Sequence, residues 1–325
     1  MLELNVISPI LLWTAIAIYA AAFVAYAFDL ARRSEASADA QTVRESALVG
    51  AGGSSRLAAT GRVSGETANP QRFLMARIGT SMTVLAFLFH LGATLTRGIA
   101  AGRVPWANLY EFAMIGTLLI VVVFLVVLTR IDLRFLGTFI TGLVVVLLGL
   151  AATNFYVEVS PLMDPLKSVW LIIHVFVASL ATAFFALAFA LSVIQLMQSR
   201  RERLVGEGAE KTGPGFLRTF PTAERLESMA YRFTIIGFIL WTFTLIAGSI
   251  WAYYAWSRFW GFDVKETWTF VIWVIYAGYI HARATRGWRG NPSAWLAIVG
   301  FSAVIFNFTI VNVFFKGLHA YSGLS

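Results

Sequence analysis

The chain has no cysteine. It therefore forms no disulfide, carries no thiol redox centre and offers no thiolate to a metal, so any thiol chemistry belongs to a partner. Charge is also scarce. Asp, Glu, Lys and Arg make up 13% of 325 residues, roughly half the fraction usual in a soluble domain. Histidine occurs four times. There is no internal repeat and no glycine-rich motif of the kind that cradles a nucleotide phosphate. What fills the space is apolar: 58% of the residues are hydrophobic. The net charge of +8 would suggest nucleic acid in a soluble protein. Here it reads as the basic loops that orient a membrane protein, and no nucleic-acid partner is expected.

A helix needs about 20 mostly apolar residues to cross a bilayer. The sequence predicts an all-α, polytopic membrane bundle of eight spans, at 8–29, 73–96, 108–129, 133–153, 168–198, 229–250, 267–284 and 294–315. The run from Ile7 to Leu30 follows Glu3 rather than a basic segment and is too long for a cleaved signal, so residues 1–30 read as a retained first helix. Residues 31–72 read as a flexible cytoplasmic loop, rich in Ala, Ser, Gly and charge with little to bury. Residues 73–198 carry spans two to five, and 199–228 form a solvated cytoplasmic connector. With both termini outside, the outer basic residues are Arg97, Arg103, Lys167, Arg258, Lys265 and Lys316, and the other 19 of 25 face inward. That bias sets the expected orientation.

Five of the eleven tryptophans fall between 251 and 273. Trp251, Tyr253, Tyr254, Trp256, Phe259, Trp260 and Phe262 crowd the outer loop 251–268 between spans six and seven. One or two such residues would be an interfacial belt. A whole aromatic loop offers a flat, rigid, apolar platform for a large planar ligand. Asp263 followed by Glu266 has the pattern of a capping box opening span seven. Arg258 and Lys265 could meet ligand carboxylates or lipid headgroups.

The histidines divide by depth. His174, about two turns into span five, and His319, after span eight, both lie near the aromatic loop. Two neutral imidazoles beside an apolar platform are what a bis-histidine heme site requires. Either alone would more often be structural. His281 lies about 21 Å into span seven at roughly 1.5 Å per residue, toward the inner half, where an ionisable residue is a functional candidate. His90 lies toward the outer half of span two, so it is mismatched with His281 as an axial partner and reads as a packed helix histidine.

The tract from Trp251 through Asp263-Val-Lys-Glu-Thr-Trp268 resembles the tryptophan-rich "WWD" signature of heme-handling membrane proteins, nearest to the CcsA/ResC type of system II cytochrome c biogenesis, also called CcsB. Asn108-Leu-Tyr-Glu111 after Pro105, and the order of the histidines, resemble that type as well. The resemblance covers about 73 to 320. It implies that 229–325 is a heme-handling core. His174 and His319 would be axial ligands of heme b. Trp251, Trp256, Trp260, Asp263 and Trp268 would belong to the platform, and His281 to a transmembrane heme site completed by a ResB-type membrane partner. It also implies an apocytochrome c substrate presenting Cys-x-x-Cys-His, a role as subunit of a cytochrome c heme lyase, and a bacterial plasma membrane with the Trp-rich loop extracytoplasmic. Val264, Phe262 and Tyr253-Tyr254 depart from the proline, tryptophan and Asn-Glu usual there, while leaving the platform aromatic. The rival functions are a heme exporter or chaperone without attachment chemistry, a b-type electron-transfer cytochrome, and a transporter whose aromatic loop is only a belt.

Overall fold

The computed structural model describes the backbone of residues 2–50, 74–209, 212–285, 288–315 and 317–318. Every regular element among them is helical; beside short 3-10 turns these are α1 Leu2–Gly50, α2 Leu74–Ala101, α3 Leu109–Leu128, α4 Gly137–Asn154, α5 Val169–Gly206, α6 Ala223–Trp256, α7 Val264–Ala284, α8 Asn291–Phe308 and the short α9 Ile310–Phe314. Seven stretches are long and apolar enough to cross a membrane, and they match seven of the eight expected spans. The exception is α7. It is 21 residues long, enough to cross at about 1.5 Å per residue. However, Thr267, Trp268, Thr269, Trp273, Tyr276, Tyr279 and His281 dilute its apolar run.

Local chemistry sets the helix ends. Asn108 caps α3 by accepting from Glu111 N–H. Ser168 caps α5, and Thr222 caps α6. Each satisfies one of the amides a helix start leaves open. Ser257 ends α6 in the left-handed region at φ 57°. The α3–α4 turn is fastened by Arg134 on Asp132, and that guanidinium holds the Asp132 carboxyl below its usual range.

Two expected boundaries differ. Helix α1 runs to Gly50, through the first twenty residues of the stretch read as a flexible loop. Residues 31–50 carry Ala, Arg, Glu and Gln without proline, residue types that favour a continued helix. Residues 51–73 lie outside the described residues. The aromatic tract 251–268 is also mostly helix: 251–256 finish α6, 264–268 open α7, and only Ser257–Asp263 connect them.

Helix α1 packs along α2 and α4, while α5 is the central element, against α6, α8 and α3. Close approach relies on small residues, as is usual between membrane helices. At Gly137 a Cβ would come 2.4 Å from the Tyr26 ring. Phe185 of α5 stacks on Tyr276 of α7 at 3.7 Å and 5° in the main core. The outward faces stay apolar, with Trp13, Phe28, Leu88, Val146, Ile239 and Ile246 exposed. A bilayer, not water, is the solvent such a surface suits.

Candidate functional site

The site is built where the start of α5, the end of α6 and the start of α7 meet. His174 is in the second turn of α5 and is half-buried. Its Nδ1 lies 2.9 Å from the carbonyl oxygen of Thr244 on α6. A carbonyl only accepts, so Nδ1 carries the proton and Nε2 carries the lone pair, which is the form of imidazole that binds iron. Gly248, one turn further along α6, makes the approach possible. A Cβ there would sit 2.7 Å from His174 Cε1 and 2.8 Å from Nδ1.

Trp251 follows on the same face of α6. Its indole stacks on His174 with centroids 5.9 Å apart and planes 18° from parallel. It is buried, and Nε1 donates to the Pro165 carbonyl at 2.9 Å. That bond ties the end of α6 to the turn preceding α5. Trp256 meets Trp251 edge-on at 4.8 Å. Trp106, Leu166, Leu171 and Val175 complete this apolar cluster.

His174 stands between two cavities. The larger is about 200 Å³ and runs down between Trp106, Phe112, Thr117, Trp241 and Phe308. The smaller, about 70 Å³, lies toward Gly248, Phe259, Trp260 and Glu266. Thr244, Trp251, Lys265 and Thr269 line both, as His174 does. The walls are apolar with a few converging polar groups, the usual character of a small-molecule site.

The start of α7 holds the rest together. Asp263 and Glu266 form the expected capping box. Glu266 Oε2 accepts from Gly261 N–H at 2.8 Å and Asp263 N–H at 3.1 Å. Asp263 Oδ1 also accepts from the N–H of Leu318 at 3.1 Å. Asp263 therefore has a second role that its sequence pattern did not reveal, fastening the chain one residue before His319. His319 itself lies outside the described residues.

The other expected residues are dispersed. Trp260 lines the smaller cavity and meets Phe262 and Phe270 edge-on. Trp268 lines neither cavity and packs on Phe306 of α8 at 4.4 Å. His281 lies 16 residues beyond Lys265, about 24 Å along the helix, and is exposed. His90 is fully buried beside Tyr19, whose hydroxyl is 3.5 Å from Nδ1, as a packed helix histidine would be.

Sequence reasoning missed Thr244, Gly248 and Pro165, whose types carry no signal of their own. It also missed the role of Glu111. This fully buried carboxylate takes Arg97 Nε at 2.9 Å and Arg103 at 2.7 Å, and accepts from Ala107 N–H at 2.8 Å. Arg97 also donates to the Val157 carbonyl at 2.6 Å. The two arginines, which in the sequence counted only toward orientation, thus clamp the loop that carries Trp106 to the cavity.

Residues 106–319 match the family described as cytochrome C assembly protein. Among relatives, the cytochrome c biogenesis protein CcsA of Prochlorococcus marinus is 34% identical over 247 residues, covering 69% of this chain and 78% of that protein. CcsA of Guillardia theta is 31% identical, over 76% of this chain and 86% of that protein. CcsA of Synechococcus elongatus is 32% identical over 75% and 87%. Among solved structures, cytochrome c heme lyase CcmF matches with a TM-score of 0.62 over 94% of this chain, at 15% identity. This chain spans 46% of the length of that CcmF chain, and the likeness is one of fold. An integral membrane protein with these relatives serves cytochrome c biogenesis, a process in which heme is the group handled. This chain belongs to the cytochrome c assembly protein family, on the branch of the CcsA-type cytochrome c biogenesis proteins.

Proposed function

We propose that the chain holds heme b, as cargo, against His174 and the Trp251 wall, and presents it to an apocytochrome c for covalent attachment. The carrying observation is the His174 geometry. A carbonyl fixes the imidazole proton on Nδ1, an indole stacks on the ring, and the cavities begin at its edge. These residues suit an iron-bearing planar ligand. His319 is the second residue proposed to hold the iron; Asp263 fastens Leu318, the residue before it. Heme supplies two vinyl groups, across each of which a cysteine thiol of a Cys-x-x-Cys-His segment adds to form a thioether. The residues of this chain contribute proximity and orientation. His174 and His319 fix the iron, and Trp251, Trp256 and Trp260 bound the ring and keep water from it.

The proposal places eight spans in the bacterial plasma membrane, with both termini and the aromatic connection outside. The excess of inward basic residues supports that orientation. His281, exposed near the inner end of α7, would contribute to a second heme site completed by a ResB-type partner.

The test is the visible spectrum of the protein purified with and without that partner, compared with a His174→Gly/His319→Gly double substitution. The expected result is a heme spectrum that the double variant loses and added imidazole partly restores. The same spectrum in the double variant, with normal cytochrome maturation, would overturn the ligand assignment.

A further inference from the structure

Lys265 is in the first turn of α7 and lines both cavities beside His174. Its ammonium donates to Asn312 Oδ1 at 2.5 Å and lies 6.0 Å from the centre of the Phe112 ring. Asp263 is near enough to act on this ammonium through its charge but forms no ion pair with it. Asp263 accepts from the backbone of Lys265 and Leu318, and Glu266 from the backbone of Gly261 and Asp263. Among the described residues no carboxylate forms an ion pair with Lys265. A cation set into a largely apolar wall, whose direct contacts are a neutral amide and an aromatic face, is costly to bury unless an anion pairs with it.

A second polar group in the larger cavity is open to a ligand or a water. Asn307 is 5% exposed and lines the larger cavity. Its amide nitrogen donates to Thr269 Oγ1 at 3.3 Å, while its Oδ1 has no hydrogen-bond partner among the described residues. The cavity thus has apolar walls, an imidazole on one side, and a cation with a spare amide oxygen on another. An amphiphilic ligand with a carboxylate at one edge matches that arrangement. The ammonium meets the carboxylate, and Asn307 Oδ1 can accept from a water that bridges to it.

We propose that Lys265 is the anchor for a carboxylate of the ligand held against His174, with Asn312 orienting the ammonium. This rests on the heme reading, under which the carboxylate is a propionate. Anchoring one edge would fix how the ring is rotated in its plane, and so which edge carrying the vinyl groups faces the incoming thiols.

The test titrates the full-length protein in detergent with hemin and with hemin dimethyl ester, whose carboxylates are capped. The wild type should bind hemin about tenfold more tightly than the ester, as a charge-assisted contact predicts. Lys265→Met should bind both alike, at the affinity of the wild type for the ester, and Lys265→Arg should restore part of the preference. Were Lys265→Met to misfold, the wild-type comparison would still decide. A His174-dependent hemin spectrum with no preference over the ester overturns the anchor and leaves the heme reading intact. A preference that persists in folded Lys265→Met does the same. No hemin binding by any form overturns both.

Discussion

The imidazole of His174 and the indole of Trp251 are stacked 5.9 Å apart, 18° from parallel, across the boundary between α5 and α6. Each ring is also held at its edge, His174 by the Thr244 carbonyl and Trp251 by the Pro165 carbonyl. Neither side chain can turn without losing a hydrogen bond in a poorly hydrated setting. Packing and a second layer of contacts hold the pair in place, which is what the proposed heme site requires.

That arrangement depends on the absence of a side chain at Gly248. Gly248→Ala adds a methyl group that would stand 2.7 Å from His174 Cε1. Overpacking of this kind typically costs about 1–3 kcal/mol, and here the movable neighbour is the imidazole. The expected outcome is a folded protein with weakened heme binding, about tenfold or more if 1.4 kcal/mol or more falls on the bound state. A heme titration beside a thermal melt checks it. Unchanged binding with a lowered melting temperature would mean that the helices, not His174, absorb the clash.

Trp251→Phe separates the ring from its hydrogen bond. The phenyl retains most of the apolar contact but leaves the Pro165 carbonyl unsatisfied, at about 1–3 kcal/mol. Trp251→Ala also opens a cavity, with about 3–5 kcal/mol expected. Thermal unfolding in detergent should therefore order the proteins as wild type, Phe, Ala. A Phe variant as stable as wild type would show that water replaces the indole as donor.

The helices were legible because apolar runs of span length leave few alternatives, and the capping box at Asp263 could be read from a four-residue pattern. The site was legible only in part. His174 and the tryptophans stand out by type. Their supports, Thr244, Gly248 and Pro165, are ordinary residues whose importance comes from which helix faces which. Trp268 belongs to the same tract as Trp251 but packs against Phe306 instead, because helical rotation and the connection at 257–263 separate neighbours in sequence. The pairing of Arg97 and Arg103 was hidden for a similar reason: a count of basic residues records sidedness, and it does not reveal that both meet the buried Glu111.

Glu111 supplies the next prediction. Arg97 and Glu111 are 1% and 0% exposed at their side chains, and Arg103 is 9%. Glu111→Gln leaves two guanidinium groups without a counter-charge, and breaking a buried pair by removing one partner costs about 3–5 kcal/mol. Arg97→Ala should cost more than Arg103→Ala, because the latter residue is nearer solvent. Melting temperatures of the three variants check the order. A Glu111→Gln protein within about 1 kcal/mol of wild type, the range of an exposed pair, would mean that the cluster is hydrated.

His281 allows function to be separated from stability. Two residues on, Arg283 turns toward α6, pairing with Glu227 at 3.1 Å and lying 4.2 Å over the Tyr231 ring. At about 100° of rotation per residue, His281 is carried to a different face of α7, where it is exposed. Its removal leaves no cavity and breaks no hydrogen bond among the described residues. His281→Ala should therefore cost within about 0.5 kcal/mol, as surface substitutions do. If His281 serves a heme site completed by a partner, the isolated chain should keep its heme spectrum, while the complex should bind less heme than the wild-type complex. Reconstitution of each form with the partner, followed by a heme-to-protein ratio, measures this. Equal ratios would assign the exposed imidazole to the lipid-facing surface and confine heme handling in this chain to the His174 end of the bundle.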